Sequence, residues 1–152
     1  MLRIRDAAVT EAGVLEDLQR RSSNIWEAYR EQLAANPDAI GMPQTFLDNG
    51  WVRVAVDDKR APIGFSVVIP TTGGSYELDG LFVDPAHMAR GVGKALVEDA
   101  VERASCQGAA CLEVTAGPAQ GFYERMGFRL IGAAQTRFGP AVRMRRELER
   151  FR

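Results

Sequence analysis

Three successive strand patterns, followed by a glycine-containing loop that opens a helix, constrain this chain more than any other feature. The side-chain pattern predicts strands over residues 51–56, 63–69 and 76–83, and Asp84-Pro85 ends the third. The middle strand is almost wholly apolar, so both of its faces are expected to be buried. A meander of this kind must be covered by further elements, and the flanking sequence supplies them.

The flanking segments predict one more strand before the meander and a mixture of helices and strands after it. Alternation around Leu2 and Ile4 predicts the first strand, and helical spacing predicts helices over about 10–18 and 23–33, with a weaker one in 40–49. After the glycine loop we expect a helix, a strand at 110–115, a short helix at 119–126 and strands at 128–133 and 141–148. The predicted fold is a single α/β (α+β) domain over residues 1–152, with a mixed, mainly antiparallel sheet flanked by helices.

Composition excludes several classes of protein. The apolar fraction of 46% and the charged fraction of 26% are those of an ordinary globular chain, which excludes a disordered chain and a fibre. No window approaches the roughly 20 apolar residues of a membrane span, so we expect no membrane partner. The net charge of −1 gives no overall attraction to nucleic acid, and no nucleic-acid partner is expected.

Cysteine and histidine usage argues against a disulfide framework and a metal site. Cys106 and Cys111 are too few for a framework and lack a CxxC spacing, and the single histidine, His87, is distant in sequence. Both cysteines are interpreted as small buried residues. The N-terminal residues show no signal-peptide pattern, so a cytoplasmic location is expected.

The glycine loop at 88–93 invites a comparison with phosphate-binding motifs. Met88 stands where a P-loop requires glycine, and Ala95 stands where its Ser or Thr would bind magnesium. Leu96 occupies the third glycine position of the dinucleotide fingerprint. A nucleotide-binding domain is therefore disfavoured, and a loop without a ligand is the simplest alternative.

Two blocks of sequence together point to one family. The first is LDGLFVDP at 78–85 with RGVGKAL at 90–96, and the second is GFYERMGF at 121–128. These blocks, their spacing and the order of elements over the whole chain resemble the GNAT superfamily of acetyl-CoA-dependent N-acetyltransferases. The runs ELDGLFV and TRFGPA are similar to small bacterial-type members of unassigned substrate. The resemblance implies a V-shaped splay between the central strands.

The resemblance also implies where acetyl-CoA would bind, with no metal. Pantetheine would lie along the third meander strand, and the pyrophosphate would rest on N–H groups of the loop, where Gly91 and Gly93 permit close approach. Met88 departs from the usual Gln or Arg, and Gln120 is the only substitute for a missing Asn. The implied cofactor residues are Leu81, Phe82, Val83, Met88, Ala89, Arg90, Gly91, Val92, Gly93, Lys94 and Gln120.

Acetyl transfer needs a base for the amine, donors for the oxyanion and an acid for the thiolate. By resemblance Tyr123 is the acid, and a backbone N–H near Leu81 or Phe82 is the oxyanion donor. Glu77 and Asp79 are the candidate bases, with Glu77 placed first. The structural alternatives are a core tyrosine, and carboxylates that are exposed or bonded to neighbouring strands.

The expected reaction is direct acetyl transfer in a ternary complex to a primary amine, taken to be that of a small molecule. A protein lysine or N-terminus is the alternative acceptor, and a catalytically silent acyl-CoA-binding regulatory module is the alternative class. A homodimer through the C-terminal edge strands is compatible with the sequence.

Two further groups of residues are candidates for acceptor specificity. Arg137 and Arg143 could attract an acceptor carboxylate but are interpreted as solvated. An aromatic wall of the acceptor site could be formed by Trp26, Tyr29, Phe46 and Trp51, of which the first two are interpreted as core residues.

Overall fold

The computed structural model of the chain describes residues 2–23 and 33–148. Most of the predicted helix at 23–33, with Trp26 and Tyr29, lies outside these ranges. Two short 3-10 turns, Pro37–Ala39 and Pro85–His87, accompany the longer elements. These are, in chain order, β1 (Arg3–Asp6), α1 (Ala12–Ser23), α2 (Gln44–Asp48), β2 (Val52–Val56), β3 (Pro62–Pro70), β4 (Ser75–Val83), α3 (Val92–Cys106), β5 (Cys111–Ala116), α4 (Gln120–Arg125), β6 (Arg129–Thr136) and β7 (Gly139–Glu147).

The strands form one seven-stranded sheet in the order β1-β2-β3-β4-β5-β7-β6. The β1–β2, β2–β3, β5–β7 and β6–β7 pairs are antiparallel, and β4–β5 is parallel. The predicted mixed, mainly antiparallel sheet with helices is confirmed. The β4–β5 ladder joins residues 75–77 to residues 111–113 and ends there, while β5 runs on to Ala116 as a partner of β7.

Two compact units make up the described chain. The first comprises the described residues up to Val67 together with Gly80–Leu96, and the second comprises Val68–Asp79 and the described residues from Val97 onwards. The strand β4 and the helix α3 each contribute residues to both units.

In the first unit, the core forms where β3 meets the start of α3. Residues 63–68 of β3 are all buried, as the apolar run predicts. Gly64 permits this packing, because a Cβ there would lie 3.0 Å from the Phe82 carbonyl oxygen. The cluster at this point consists of Ala55, Ile63, Val92 and Leu96, with Leu2, Ile4, Leu81 and Val83 packed against it.

In the second unit, the later part of α3 and the strands β5 and β7 contribute buried apolar residues. The fully buried ones include Val97, Ala100, Leu112 and Met144. Cys111 is buried as predicted. The prediction that Cys106 is buried was wrong, because this residue lies at the last position of α3, about 200° around the helix from the buried Ala104. None of the helices in the described residues is long and apolar enough to cross a membrane.

Candidate functional site

The loop between β4 and α3, in the first unit, is fixed at its start by Asp84. The Asp84 backbone N–H donates to the Ile63 carbonyl at 2.8 Å, and its carboxylate accepts from the Ala86 N–H at 3.1 Å. Arg21 of α1 donates to the same carboxylate at 3.3 Å. These contacts hold the loop against β3 and α1.

The end of the loop is shaped by two left-handed residues. Ala89 has a φ of 63° and Gly91 a φ of 79°, a conformation that glycine adopts readily and alanine does not. The sequence singled out Gly91 and Gly93 for close approach of the backbone to a phosphate. Gly91 lies in the loop, and Gly93 lies in the first turn of α3. Ala89 takes a left-handed conformation that its residue type does not signal.

The start of α3 presents backbone N–H groups. Ala95 N–H donates to the Gly91 carbonyl at 3.0 Å. The N–H groups of Val92, Gly93 and Lys94 come before this first helical donor and have no acceptor within the helix. The helix end is anchored because Val92 is buried against the core of the first unit. Such a terminus, with its positive dipole end, suits a phosphate group.

The remaining predicted cofactor residues of the first unit surround this loop by position. Arg90 and Lys94 are exposed and carry positive charge, and Met88 is half-buried. The Phe82 ring packs on Phe65 with centroids 5.1 Å apart. Leu81 and Val83 contact the apolar cluster at the start of α3.

In the second unit, Glu77 is held by an arginine that the sequence left as a solvated charge. The two terminal nitrogens of Arg143 donate to the two oxygens of Glu77, each at 2.8 Å. The guanidinium also donates to Thr115 Oγ1 at 2.7 Å and to Glu113 Oε1 at 2.9 Å. The Glu77 carboxylate raises the pKa of Arg143 above its already high ordinary value.

Glu113 continues this ionic layer across β4, β5 and β7. It accepts from Ser75 Oγ at 3.2 Å and from Arg145 at 3.3 Å in addition to Arg143. Burial raises the pKa of Glu113, but the hydrogen bonds from Arg143 and Ser75 and the two arginine charges outweigh it, so the pKa lies below the ordinary value. We call Glu77, Glu113, Arg143 and Arg145 the ionic layer.

Asp79 lies two residues beyond Glu77 on β4 and has a different environment. Its side chain keeps access to solvent. Partial burial nevertheless raises the pKa of Asp79 above that of an ordinary aspartate, and repulsion from Glu77 raises it further. A carboxylate of this kind is a better proton acceptor than one held in an ion pair.

Tyr123 lies on the short helix α4 and is 7% exposed. Its ring makes edge contacts with Phe122 and Phe128, with centroids 5.2 Å and 5.5 Å away. Burial raises the pKa of the Tyr123 phenol above its ordinary range, so the hydroxyl is protonated at neutral pH. The side chain therefore combines a packing role with a hydroxyl that can donate.

Other candidate residues have local partners. Gln120 donates to Glu124 one turn away at 3.0 Å. Phe46 and Trp51 pack together with centroids 5.7 Å apart, and the Arg137 guanidinium lies 5.6 Å from the Phe138 ring centroid. Among the described residues no group of three or more His, Cys, Asp or Glu side chains could hold a metal ion.

The predicted residues thus divide by unit. The loop, Leu81, Phe82 and Val83 belong to the first unit, and Glu77, Asp79, Gln120 and Tyr123 belong to the second. Sequence reasoning missed the partnership of Arg143 with Glu77 and Glu113. The available signal was alternation: Glu77 and Asp79 of β4 lie two positions apart, as do Arg143 and Arg145 of β7, so the two members of each pair share one face of the sheet.

Comparisons with known proteins agree on one family. The family model described as "Acetyltransferase (GNAT) domain" matches residues 48–130. A peptidyl-lysine N-acetyltransferase, YjaB, from Salmonella typhimurium strain LT2 is 32% identical over 144 residues, which cover 90% of this chain and 89% of that relative.

Two solved structures extend the comparison. A PaiA N-acetyltransferase from Thermoplasma acidophilum in complex with coenzyme A has a TM-score of 0.78 and 18% identity, over 97% of this chain and 99% of that one, which is a likeness of fold. A nourseothricin acetyltransferase has a TM-score of 0.59 and 29% identity, and the match covers 64% of this chain and 65% of that one. With the family model matching more than half of its residues, the chain belongs to the GNAT family of acetyltransferases.

Proposed function

We propose that this acetyltransferase moves the acetyl group of acetyl-CoA directly to a primary amine in a ternary complex, and that the acceptor is a lysine side chain of a protein. The lysine acceptor is suggested by the similarity of 90% of the chain to a peptidyl-lysine N-acetyltransferase. A small-molecule amine, the acceptor expected from the sequence, is the second candidate. It draws support from the likeness to a nourseothricin acetyltransferase over 64% of the chain.

The observation that carries the cofactor assignment is the start of α3. Left-handed backbone at Ala89 and Gly91 leads into a fifteen-residue helix whose first N–H groups have no intrahelical acceptor. Arg90 and Lys94 add positive charge at the same loop. This arrangement supports binding of the pyrophosphate of acetyl-CoA, which supplies the thioester acyl group.

The chemistry assigns one role to each polar side chain. Asp79 takes a proton from the ammonium form of the acceptor, which frees the nitrogen lone pair. The nitrogen forms a bond to the thioester carbonyl carbon, the carbon–sulfur bond breaks, and the Tyr123 hydroxyl donates its proton to the departing thiolate. The acetylated nitrogen then gives up its second proton, which returns the Tyr123 phenolate to the hydroxyl form and leaves the amide product and the free thiol of CoA. Glu77, the base placed first from the sequence, has both oxygens bonded to Arg143, so we assign proton transfer to Asp79.

The test is a thiol-release assay with purified protein and acetyl-CoA against two kinds of acceptor. One is a peptide with a blocked N-terminus and a single lysine, matched to the same peptide with glutamine in place of lysine. The other is a set of free amines that includes a polyamine, an amino acid and an amine-bearing antibiotic. We expect release with the lysine peptide and none with its glutamine match.

Two results would overturn parts of this proposal. Turnover of a free amine with no turnover of the lysine peptide would move the acceptor to the small-molecule class. Acetyl-CoA binding without thiol release for any amine would favour the catalytically silent acyl-CoA-binding module.

A further inference from the structure

We infer that Arg143 is a positioning residue that holds Glu77 as a fixed, charge-compensated neighbour of Asp79 and so sets the pH range in which Asp79 accepts a proton. The inference rests on the proposed function, since it concerns the base of that reaction. The inference gives a role in acetyl transfer to an arginine of β7 that lies outside the family motifs.

The terminal nitrogens of Arg143 are hydrogen-bonded to side chains of neighbouring strands. Its two terminal nitrogens make four hydrogen bonds of 2.7–2.9 Å, to both oxygens of Glu77, to Glu113 and to Thr115. These bonds join β7 to β4 and β5. A guanidinium engaged in this way orients carboxylates and is not available to an acceptor carboxylate.

Burial makes this arrangement stronger than a surface ion pair. The side chains of Arg143, Glu77 and Glu113 are 29%, 21% and 16% exposed. Bidentate geometry in a partly desolvated site holds the Glu77 carboxylate in one orientation. The direction of the Glu77 charge relative to Asp79 is therefore fixed by Arg143.

The charge balance at this face explains the effect on Asp79. Two guanidinium groups, of Arg143 and Arg145, pair with the carboxylates of Glu77 and Glu113, and Asp79 adds a third carboxylate close to Glu77. At the edge of the layer, Glu147 lies 4.0 Å from Arg145 and 3.0 Å from Arg129. Loss of Arg143 would leave the Glu77 carboxylate without its guanidinium partner, and the charge of Glu77 makes ionisation of Asp79 less favourable.

The test compares the pH dependence of kcat/KM in Arg143→Gln and Glu77→Gln. A base must be ionised, so activity rises with pH through the pKa of Asp79. Arg143→Gln should move the midpoint of this rise upward by about half a unit to one unit, the effect of one partly screened charge. Glu77→Gln removes a negative charge and should move the midpoint downward.

Three further variants separate the charge effect from a structural one. Arg143→Lys retains the charge and should restore the midpoint, although it cannot make the bidentate contact. The double variant Arg143→Gln with Glu77→Gln should return the midpoint towards that of the wild type. Arg129→Gln, which breaks an exposed pair with Glu147 on the same sheet, should leave the midpoint in place.

The same shifts can be read without turnover, by NMR titration of the Asp79 side-chain carboxyl in each variant. The inference is overturned if the Asp79 midpoint in folded Arg143→Gln and Glu77→Gln matches the wild type, or if Arg143→Lys shifts as far as Arg143→Gln. Wild-type protein that releases no thiol but shows the expected titration shifts would contradict the proposed function and leave the Arg143 inference standing.

Discussion

At the scale of single residues, Tyr123 shows how packing and chemistry can share one side chain. Its ring is buried between Phe122 and Phe128, and that burial raises the pKa of the phenol. The hydroxyl therefore stays protonated at neutral pH, which is the state an acid requires. A raised pKa also makes the phenol a weaker acid, and a thiolate is less basic than a phenolate, so burial lowers the driving force for this proton transfer.

Replacing Tyr123 by Phe should lower kcat by roughly 10²- to 10⁴-fold, the usual contribution of one acid–base group. Acetyl-CoA affinity should stay close to that of the wild type, because the ring is retained and the loop proposed to bind the pyrophosphate is unchanged. Steady-state kinetics and calorimetric titration with acetyl-CoA measure the two quantities. Tyr76→Phe, at a half-buried tyrosine of β4 with no assigned role, is the matched control. Equal activity in the Tyr123 and Tyr76 variants would refute the acid role.

Glu113 provides a prediction about stability. Burial raises its pKa, but hydrogen bonds from Arg143 and Ser75 and the arginine charges lower it to a net value below the ordinary one. Its stabilising contribution is therefore present above the unfolded-state pKa of about 4.3 and is lost as pH falls through the lower folded-state pKa. Glu113→Gln should lower Tm at neutral pH, with a difference from the wild type that disappears in acid.

Thermal unfolding over a series of pH values measures this difference. The control is Glu147→Gln, whose side chain is 60% exposed and should have little effect on Tm at any pH. A Tm deficit in Glu113→Gln that is as large at acid pH as at neutral pH would show that lost packing, and not lost ionic bonding, is responsible.

Candidate residues could be named from the sequence where a motif contains them. Tyr123 and the carboxylates of β4 were named from their motifs, but the ion pair between Glu77 and Arg143 was not. This pair joins residues 66 positions apart and depends on the register of β5 with β7. Alternation alone places residues on a face without saying which strand is the neighbour.

At the scale of elements, the start of α3 depends on backbone conformation. Gly91 has a φ of 79°, and a Cβ at this position would meet no atom within 4 Å. A side chain at position 91 would therefore destabilise the fold through backbone strain, and not through a steric clash. Ala89 already bears such strain at a φ of 63°, which indicates that the surrounding loop imposes this conformation.

Replacing Gly91 by Ala should destabilise the protein by about 1–2 kcal/mol and weaken acetyl-CoA binding, since the N–H groups that follow would shift. Chemical denaturation and acetyl-CoA titration are the measurements. Gly13→Ala is the matched control, because Gly13 lies in α1 with open space around it and alanine there should stabilise the helix by up to about 1 kcal/mol. Unchanged acetyl-CoA affinity in Gly91→Ala would separate this loop from cofactor binding.

The positions of the helices and strands were largely predictable, because apolar residues recur at a different spacing in a strand than in a helix. The apolar run of β3 predicted burial on both faces, and residues 63–68 are buried. Cys106 was misplaced because small neighbouring residues were taken as a sign of burial, whereas the helical period from Ala104 directs it to solvent. The left-handed conformation of Ala89 carries no signal in its residue type.

At the scale of the whole molecule, the order of strands is the feature that residue patterns do not determine. Each strand can be located from its own pattern, but the placement of β7 between β5 and β6 follows from long-range pairing. The sequence predicted a mixed, mainly antiparallel sheet without assigning this order of strands. Composition and a net charge of −1 limited the class of protein without indicating its reaction.

Thermal unfolding with and without acetyl-CoA tests the central claim of an acetyl-CoA-dependent acetyltransferase most directly. Acetyl-CoA at about 100 times its Kd should stabilise the native state by about 2.7 kcal/mol and raise Tm by a few degrees. ADP and ATP at the same concentration should produce a smaller rise, because they lack pantetheine. No rise at millimolar acetyl-CoA, or an equal rise with ADP or ATP, would contradict the account.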